Sequence, residues 1–296
     1  MLGATGQVAL PLTLALASDS ANEVWGVARF SDQAAKKRLE DAGVTCVTAD
    51  LAKGLPDGFP DDFTYVLNFS VLKSNDWDYD MEANTGVGAV MFHCRNARAF
   101  LDCSSTAVYQ PKGHDPIKET DPLGDNHRIW EFIQTYSICR IATEAVVRFC
   151  AKQLNLPTTI TRLNVPYGPN GGWPAAHIDA ILEGQPIPVH VNAPSVYNPI
   201  HDSDIAAMLP AMLAAASVPA TIVNWGGDDA VSIEDWCAYL GKLLGKEPMI
   251  VQTDQTIESV EVDLTKMHAI AGHTKVGWQD GFRAMIEARH PEVKLN

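Results

Sequence analysis

The chain has 296 residues, 46% of them hydrophobic and 20% charged, enough apolar mass for one substantial core and a smaller companion. Its net charge of −14 repels polyanions at long range, which argues against nucleic acid and anionic membrane as partners. No apolar run reaches the length of a membrane span and the amino-terminal stretch lacks the basic flank of a secretion signal, so a cytoplasmic protein is expected.

The chain opens on "LGATGQVA", which places Gly3, Gly6 and Ala9 at G-x-x-G-x-x-A spacing ahead of an apolar helix. Glycines there let the backbone approach a diphosphate closely, and the helix that follows offers free amides and the positive end of its dipole. Only Met1 and Leu2 precede Gly3, so the strand that feeds such a loop is nearly absent and the sheet is expected to be compromised there. The strand "EVWGVARF" comes next and ends in Ala28-Arg29, where an acidic residue would recognise the two ribose hydroxyls of a dinucleotide. Arg29, with Ser31, Lys36 and Lys37 nearby, suits a 2′-phosphate instead, so NADP is expected ahead of NAD. The lysines read equally well as a solvated helix face, which leaves Arg29 to carry that expectation. Asp50 ends the following strand, "VTCVTADL", at a place where a carboxylate accepts from an adenine amino group.

Strand-length apolar runs and helix-period stretches then alternate through "TYVLNFS", "NTGVGAVMFHCRNA", "AFLDCSS", the amphipathic "YSICRIATEAVVRFCAKQLN" and the strand "TTITRLN". That alternation predicts an α/β fold, a Rossmann-like doubly wound parallel sheet joined by crossover helices. From Val165 onward Pro, Gly and Asn concentrate in "VPYGPNGGWPAAH" and "GQPIPVHVNAPSVYNP" and interrupt regular structure. A helix restarts at "DSDIAAMLPAMLAAAS". Another begins at "SIEDWCAYLGKLLG", with Ser232 and Asp235 as a capping box and Gly245 as its stop. "MIVQTD" and "ESVEVD" read as short strands, and "WQDGFRAMIEAR" as a closing amphipathic helix. The expected division is a dinucleotide-binding domain at 1–165, completed by about 198–230, with a smaller substrate lobe at 166–197 and 231–296. The six cysteines form no C-x-x-C pair and read as free thiols; the nine histidines are dispersed, and no metal site is expected.

With "LDCSSTAVY", "YSICR" and "TRLNVPYGPNGG" in hand, the chain resembles the extended short-chain dehydrogenase/reductases, the NAD(P)-dependent epimerase/dehydratase group. The resemblance runs through the Gly-rich loop, Asp50-Leu51, "NTGVG" at Asn84, the Ser-Ser strand end, the Tyr helix, "YGP" at Tyr167, "HDSDIA" at His201 and "GWQDGF". It implies Tyr136 as the acid/base that exchanges a proton with a carbonyl or alcohol oxygen. It implies Ser105, four residues before Tyr109, as the hydroxyl that orients that oxygen, and Asn84 as support for the active-site backbone. A free tyrosine ionises near pH 10 and needs a cation to work near neutrality. In the family that cation is a lysine four residues on; here it is Arg140, which keeps the charge but cannot relay a proton.

The resemblance also implies cofactor contacts from Gly3, Thr5, Gly6, Gln7 and Val8, then Arg29, Asp50 and Leu51, then Phe69, Ser70, Tyr136 and Arg140. Trp77, Tyr109, Tyr167 and Trp173, beside Ser105, are the expected substrate contacts. Relatives that bind sugar nucleotides clamp the diphosphate with basic residues. Between Val165 and Val262 the only lysines or arginines are Lys242 and Lys246, which favours a small uncharged carbonyl or alcohol. The expected activity is therefore NADP(H)-favouring hydride transfer to or from such a substrate, with NAD possible. The alternatives are a sugar-nucleotide epimerase or dehydratase, and a non-catalytic NADP-binding redox sensor. The helices around 87–98 and 136–154 match the pair that relatives use to form a homodimer, which is the expected assembly.

Overall fold

The computed structural model describes residues 1–296. The glycine loop leads into α1 (Ala9–Ala17), followed by β1 (Trp25–Ala28), α2 (Gln33–Asp41), β2 (Thr45–Thr48) and β3 (Tyr65–Asn68). Asp32 caps α2 by accepting from the amides of Ala34 and Ala35. Next come α3 (Trp77–Thr85), α4 (Val87–His93), β4 (Ala99–Ser105), α5 (Tyr136–Leu154) and β5 (Thr158–Leu163). Every residue of β5 is buried, as expected for a central strand of a parallel sheet covered on both faces.

β1 pairs with β2, and β3, β4 and β5 pair in sequence, all parallel. The predicted gap at the first strand does not open. Leu2 bridges Val27 of β1 and Asn68 of β3. Val27 N donates to Met1 O at 2.8 Å, Leu2 N donates to Leu67 O at 2.8 Å, and Phe69 N donates to Leu2 O at 3.1 Å. Two residues thus satisfy the facing backbone groups at the level of the loop, and the sheet is continuous across them.

Past β5 lie β6 (Pro166–Gly168), β7 (Gly171–Gly172), α6 (Trp173–Glu183), β8 (Pro186–His190), β9 (Val196–Tyr197) and β10 (Ile200–His201). They are followed by α7 (Asp202–Ala214), β11 (Thr221–Trp225), β12 (Val231–Ser232), α8 (Ile233–Leu244), β13 (Met249–Thr253), α9 (Thr265–Ala271) and α10 (Trp278–Arg289). β11 returns to the main sheet beside β5, whereas β8 pairs with β13 and β9 with β12 away from it. Half of the capping box forms: Ser232 Oγ accepts from Asp235 N at 2.9 Å, while the Asp235 carboxylate accepts from the Ser232 hydroxyl and not its amide, and Gly245 closes α8 at a φ of +63°. "ESVEVD" is not a strand; Val262 makes a single bridge to Ile117. Two of the dispersed histidines meet after folding, His268 and His273 both lying on the exposed carboxylate of Asp228 at 2.9 and 2.7 Å.

α5 is locked to the sheet by a buried ion pair. Arg162 of β5 donates through Nε and Nη2 to the Glu144 carboxylate at 2.9 and 2.7 Å, both side chains are 2% exposed, and Ser104 of β4 donates to the same carboxylate at 2.6 Å. Removing one partner strands the other charge in the core. Arg162→Met should cost about 3–5 kcal/mol in urea unfolding, and Arg162→Met with Glu144→Met should recover much of that loss. A double variant as unstable as the single one would show that the buried charge is not the cause.

Candidate active site

Gly3 has a φ of +72°, and a Cβ on it would lie 2.6 Å from Ser70 Cα, so no other residue fits where the loop crosses the end of β3. Gly6 N donates to Gly3 O at 2.8 Å and closes the turn, and Val8 precedes α1 without a side-chain cap. The amides that begin α1 therefore face the loop without a side-chain partner, the condition for anion binding at a helix start.

A cavity of about 220 Å³ runs along this loop, with Gly3, Thr5 and Gly6 on one side and Arg29, Asp50, Leu51, Phe69 and Ser70 on the other. Lys36 and Lys37 pair with Glu40 and Asp41 at 3.5 and 2.8 Å along α2. Arg29 is exposed and makes neither an ion pair nor a hydrogen bond, so it is the one free cation of the expected basic group. Asp50 is held at the rim, accepting from Tyr79 Oη at 2.8 Å and from Ala52 N at 3.2 Å. Asn84 also lines this cavity. It accepts from Leu72 N at 3.2 Å and donates to Leu72 O and Asp80 O at 2.8 and 2.7 Å, so it fixes backbone and does not enter the cavity around Tyr136.

A second cavity of about 670 Å³ shares Gly6, Phe69 and Val71 with the first and adds Gln7 and Val8. Tyr136, half-buried at the start of α5, lines it together with Ser105 and Arg140. Three groups surround the Tyr136 ring: the His127 ring at 5.2 Å, the Arg140 guanidinium at 5.8 Å and Lys73 Nζ at 5.5 Å. Arg140 is 3% exposed, and its Nη1 and Nη2 donate to Cys103 O at 3.3 Å and Ser70 O at 2.9 Å, tying together the ends of β4 and β3. Neighbouring hydroxyls differ sharply in their duties. Ser104 donates to Glu144 and Thr106 to Leu163 O, whereas Ser105 Oγ only accepts, from Ala107 N at 3.1 Å, which leaves its proton available.

The NAD-dependent epimerase/dehydratase family model matches residues 1–226. The chain belongs to that family. It is thus an extended short-chain dehydrogenase/reductase, and its relatives are enzymes. Two trifunctional UDP-glucose 4,6-dehydratase/UDP-4-keto-6-deoxy-D-glucose 3,5-epimerase/UDP-4-keto-L-rhamnose-reductases of Arabidopsis thaliana match it. They are 24% identical over 66% of the chain and 25% identical over 64%. The chain spans about 30% of the length of these curated relatives. Among solved structures, UDP-glucuronic acid 4-epimerase from Bacillus cereus in complex with NAD is 19% identical with a TM-score of 0.80, covering 97% of this chain and 95% of that one. UDP-glucose 4-epimerase from Thermus thermophilus in complex with NAD is 17% identical with a TM-score of 0.79, covering 99% and 98%. At these identities the likeness establishes the fold.

Three of the expected substrate residues lie elsewhere in this family member. Tyr109 is fully buried, its hydroxyl donating to Asn224 Oδ1 at 2.5 Å and its ring 4.8 Å from the Arg162 guanidinium, because the 3₁₀ turn Thr106–Val108 swings it into the core. Tyr167 is also fully buried, edge-on to Phe282 at 4.7 Å, and it fills the space left by Gly281. Trp77 sits on the outer face of α3 beneath the Arg128 guanidinium at 5.0 Å. Trp173 does line the second cavity, edge-on to Trp130 and Tyr197. His127, Trp130, Phe132 and Ile257 also form part of this wall and were not singled out in the sequence. The one local signal was the aromatic cluster "HRIWEF" just ahead of the Tyr helix.

His177 joins this wall from α6 and is held neutral by burial, which lowers it from its ordinary 6.5 to about 4, while its Nδ1 accepts from Trp236 Nε1 at 2.8 Å. A lowered histidine leaves the unfolded chain binding the extra proton between these values, so stability is lost as pH falls from 6.5 toward 4. Relative to His177→Gln, the wild-type chain should lose up to about 1.4 kcal/mol per pH unit over that window, read from urea midpoints. A stability difference independent of pH would mean that His177 protonates freely in the fold.

Proposed function

We propose that this chain is an NAD(P)-dependent oxidoreductase of the extended short-chain type, with NADP(H) favoured and a small uncharged carbonyl or alcohol as substrate. The observation that carries the reading is the meeting of Tyr136 and Ser105 in a cavity continuous with the one along the glycine loop. The residues along both cavities fit a dinucleotide. Gly3, Thr5, Gly6 and the start of α1 would hold its diphosphate, Arg29 a 2′-phosphate, and Asp50 and Leu51 the adenine end, with Phe69, Ser70, Gln7 and Val8 nearer the reacting end. When bound, such a cofactor supplies or accepts a hydride. Tyr136 Oη then gives its proton to the substrate oxygen or takes one from it, Ser105 Oγ donates a hydrogen bond to that oxygen, and Arg140 holds the strand ends that frame both.

On the substrate side, the wall contributed by 166–197 and 231–296 carries Trp173, His177, Tyr197 and Ile257 but neither Lys242 nor Lys246. Lys246 instead donates to Leu182 O at the surface. A diphosphate would find no cation there, whereas an apolar or aromatic carbonyl compound buries well. The second reading is a sugar-nucleotide epimerase or dehydratase, supported by the uridine diphosphate sugars named for the relatives and solved structures above. A homodimer through α4 and α5 is supported by Phe92 and Phe149, which those helices expose at 48% and 59%.

NADPH should bind more tightly than NADH when nicotinamide fluorescence is followed, and Arg29→Ala should remove about 10- to 100-fold of NADPH affinity while changing NADH little. Carbonyl-dependent loss of that fluorescence should fall about 100-fold or more in Tyr136→Phe. Turnover of a UDP- or dTDP-sugar with none of any simple carbonyl would favour the second reading. Cofactor binding without turnover, indifferent to Tyr136→Phe, would point to a sensor.

A further inference from the structure

Arg140 stands where the family has lysine, and it cannot recharge Tyr136. Its guanidinium stays protonated at any accessible pH, and both terminal nitrogens are bound to Cys103 O and Ser70 O. Of the other titratable groups near the phenol or on the wall of its cavity, burial pushes Cys103 of β4 up to about 12 and His177 of α6 down to about 4, so neither exchanges a proton near neutrality. His127, from the segment ahead of α5, is held neutral to about 3 by burial and by the charge of Lys73, and its Nδ1 is already paired with Asn126 Oδ1. Asp80 of α3 is fully buried behind Thr135, yet hydrogen bonds from Ser74, Thr135 and Asn75 outweigh that burial and hold it below the usual carboxylate range, which makes it no proton donor near neutrality. Lys73 remains.

Lys73 lines the second cavity with its Nζ 5.5 Å from the Tyr136 ring centroid, and it makes no ion pair and no hydrogen bond. Its side chain is exposed and can exchange protons with solvent. The backbone on both sides of it is pinned. Asn84 holds Leu72 through N–H and C=O, and Asp80 holds Ser74 through N at 2.9 Å and Oγ at 2.6 Å. A free cation carried on a clamped loop beside the acid/base is a built arrangement.

We propose that Lys73, from the loop after β3, is the proton-bearing cation partner of Tyr136, supplying from outside α5 the ammonium that position 140 lacks. The proposal rests on the oxidoreductase reading. In the reducing direction a bound dinucleotide would supply the hydride to the carbonyl carbon, and Tyr136 gives its proton to the carbonyl oxygen, breaking the phenolic O–H bond. The phenolate then regains a proton from Lys73 Nζ, directly or through one water, and Lys73 is reprotonated from solvent. The oxidising direction reverses each transfer.

Three measurements on the full chain test this, with Tyr136→Phe as the control. The first needs neither cofactor nor substrate. The near-ultraviolet absorbance of tyrosinate is followed as pH rises, and the wild-type signal minus that of Tyr136→Phe isolates one phenol. Its ionisation should move up by about half to one pH unit in Lys73→Met and stay in place in Lys73→Arg. Second, cofactor affinity should change less than about threefold in Lys73→Met. Third, the single-turnover rate at saturating cofactor should fall about 10- to 100-fold in both variants, and added primary amines should restore Lys73→Ala in order of their basicity. An unmoved phenol in Lys73→Met overturns the proposal. So does weakened cofactor binding with an unchanged rate at saturation, which would make Lys73 only a binding cation. Absence of any nicotinamide binding refutes the oxidoreductase reading alone, since the phenol titration still decides the role of Lys73.

Discussion

The position of the Tyr136 phenol depends on the buried pairing of Glu144 with Arg162. Glu144 lies two turns along α5 from Tyr136, and its carboxylate joins α5 to β5 through Arg162 and to β4 through Ser104. An ion pair in the core tolerates little displacement, because either charge without its partner is costly. The helix is therefore fixed in rotation and height against the strand ends. Arg140, one turn from Tyr136, repeats the device nearer the site by holding Ser70 O and Cys103 O. Two arginines thus set the distance between the helix that carries Tyr136 and the strand that carries Ser105.

The loop after β3 is held with equal care by neutral and acidic groups. Asn84 and Asp80, both buried on α3, direct their polar atoms at the backbone of Leu72, Ser74 and Asn75. These bonds are made in a partly dry environment, where unmet polar groups cost most, so they specify one loop conformation. The same loop closes one side of both cavities and presents Lys73 to the ring of Tyr136. The opposite wall is of another character, built from aromatic rings packed edge to face, with Trp173 touching Trp130, Tyr197 and Trp236. One wall therefore carries the cation and the polar clamps, and the other is apolar and aromatic.

Much of this was legible in the chain because it is local. The glycine spacing announces a tight turn before a helix, the alternation of short apolar runs with amphipathic stretches announces parallel strands and crossover helices, and Tyr136 with Arg140 one turn later is a helical relation. Ser105 at the end of β4 follows from strand length. The aromatics were harder. Tyr109 and Tyr167 stand beside motif residues and look like substrate contacts, yet both are fully buried. Trp130 and Phe132, at and inside the 3₁₀ turn Glu131–Ile133, too short to show a period, supply the wall in their place.

By itself the sequence determined the α/β class, the family, the glycine loop and the helix that opens on Tyr136, since each rests on residues close together in the chain. The tertiary structure alone decided three other matters. The two residues ahead of Gly3 suffice to close the sheet, because backbone groups of β1 and β3 reach them from both sides. Arg140 turns its donors to carbonyls from two different strands, a choice set by packing and not by its neighbours in sequence. Lys73, 63 residues before Tyr136, meets it only because β3 ends and α5 begins at the same edge of the sheet. Contacts of that kind depend on where chain ends converge in space, and no local pattern of residue types encodes them.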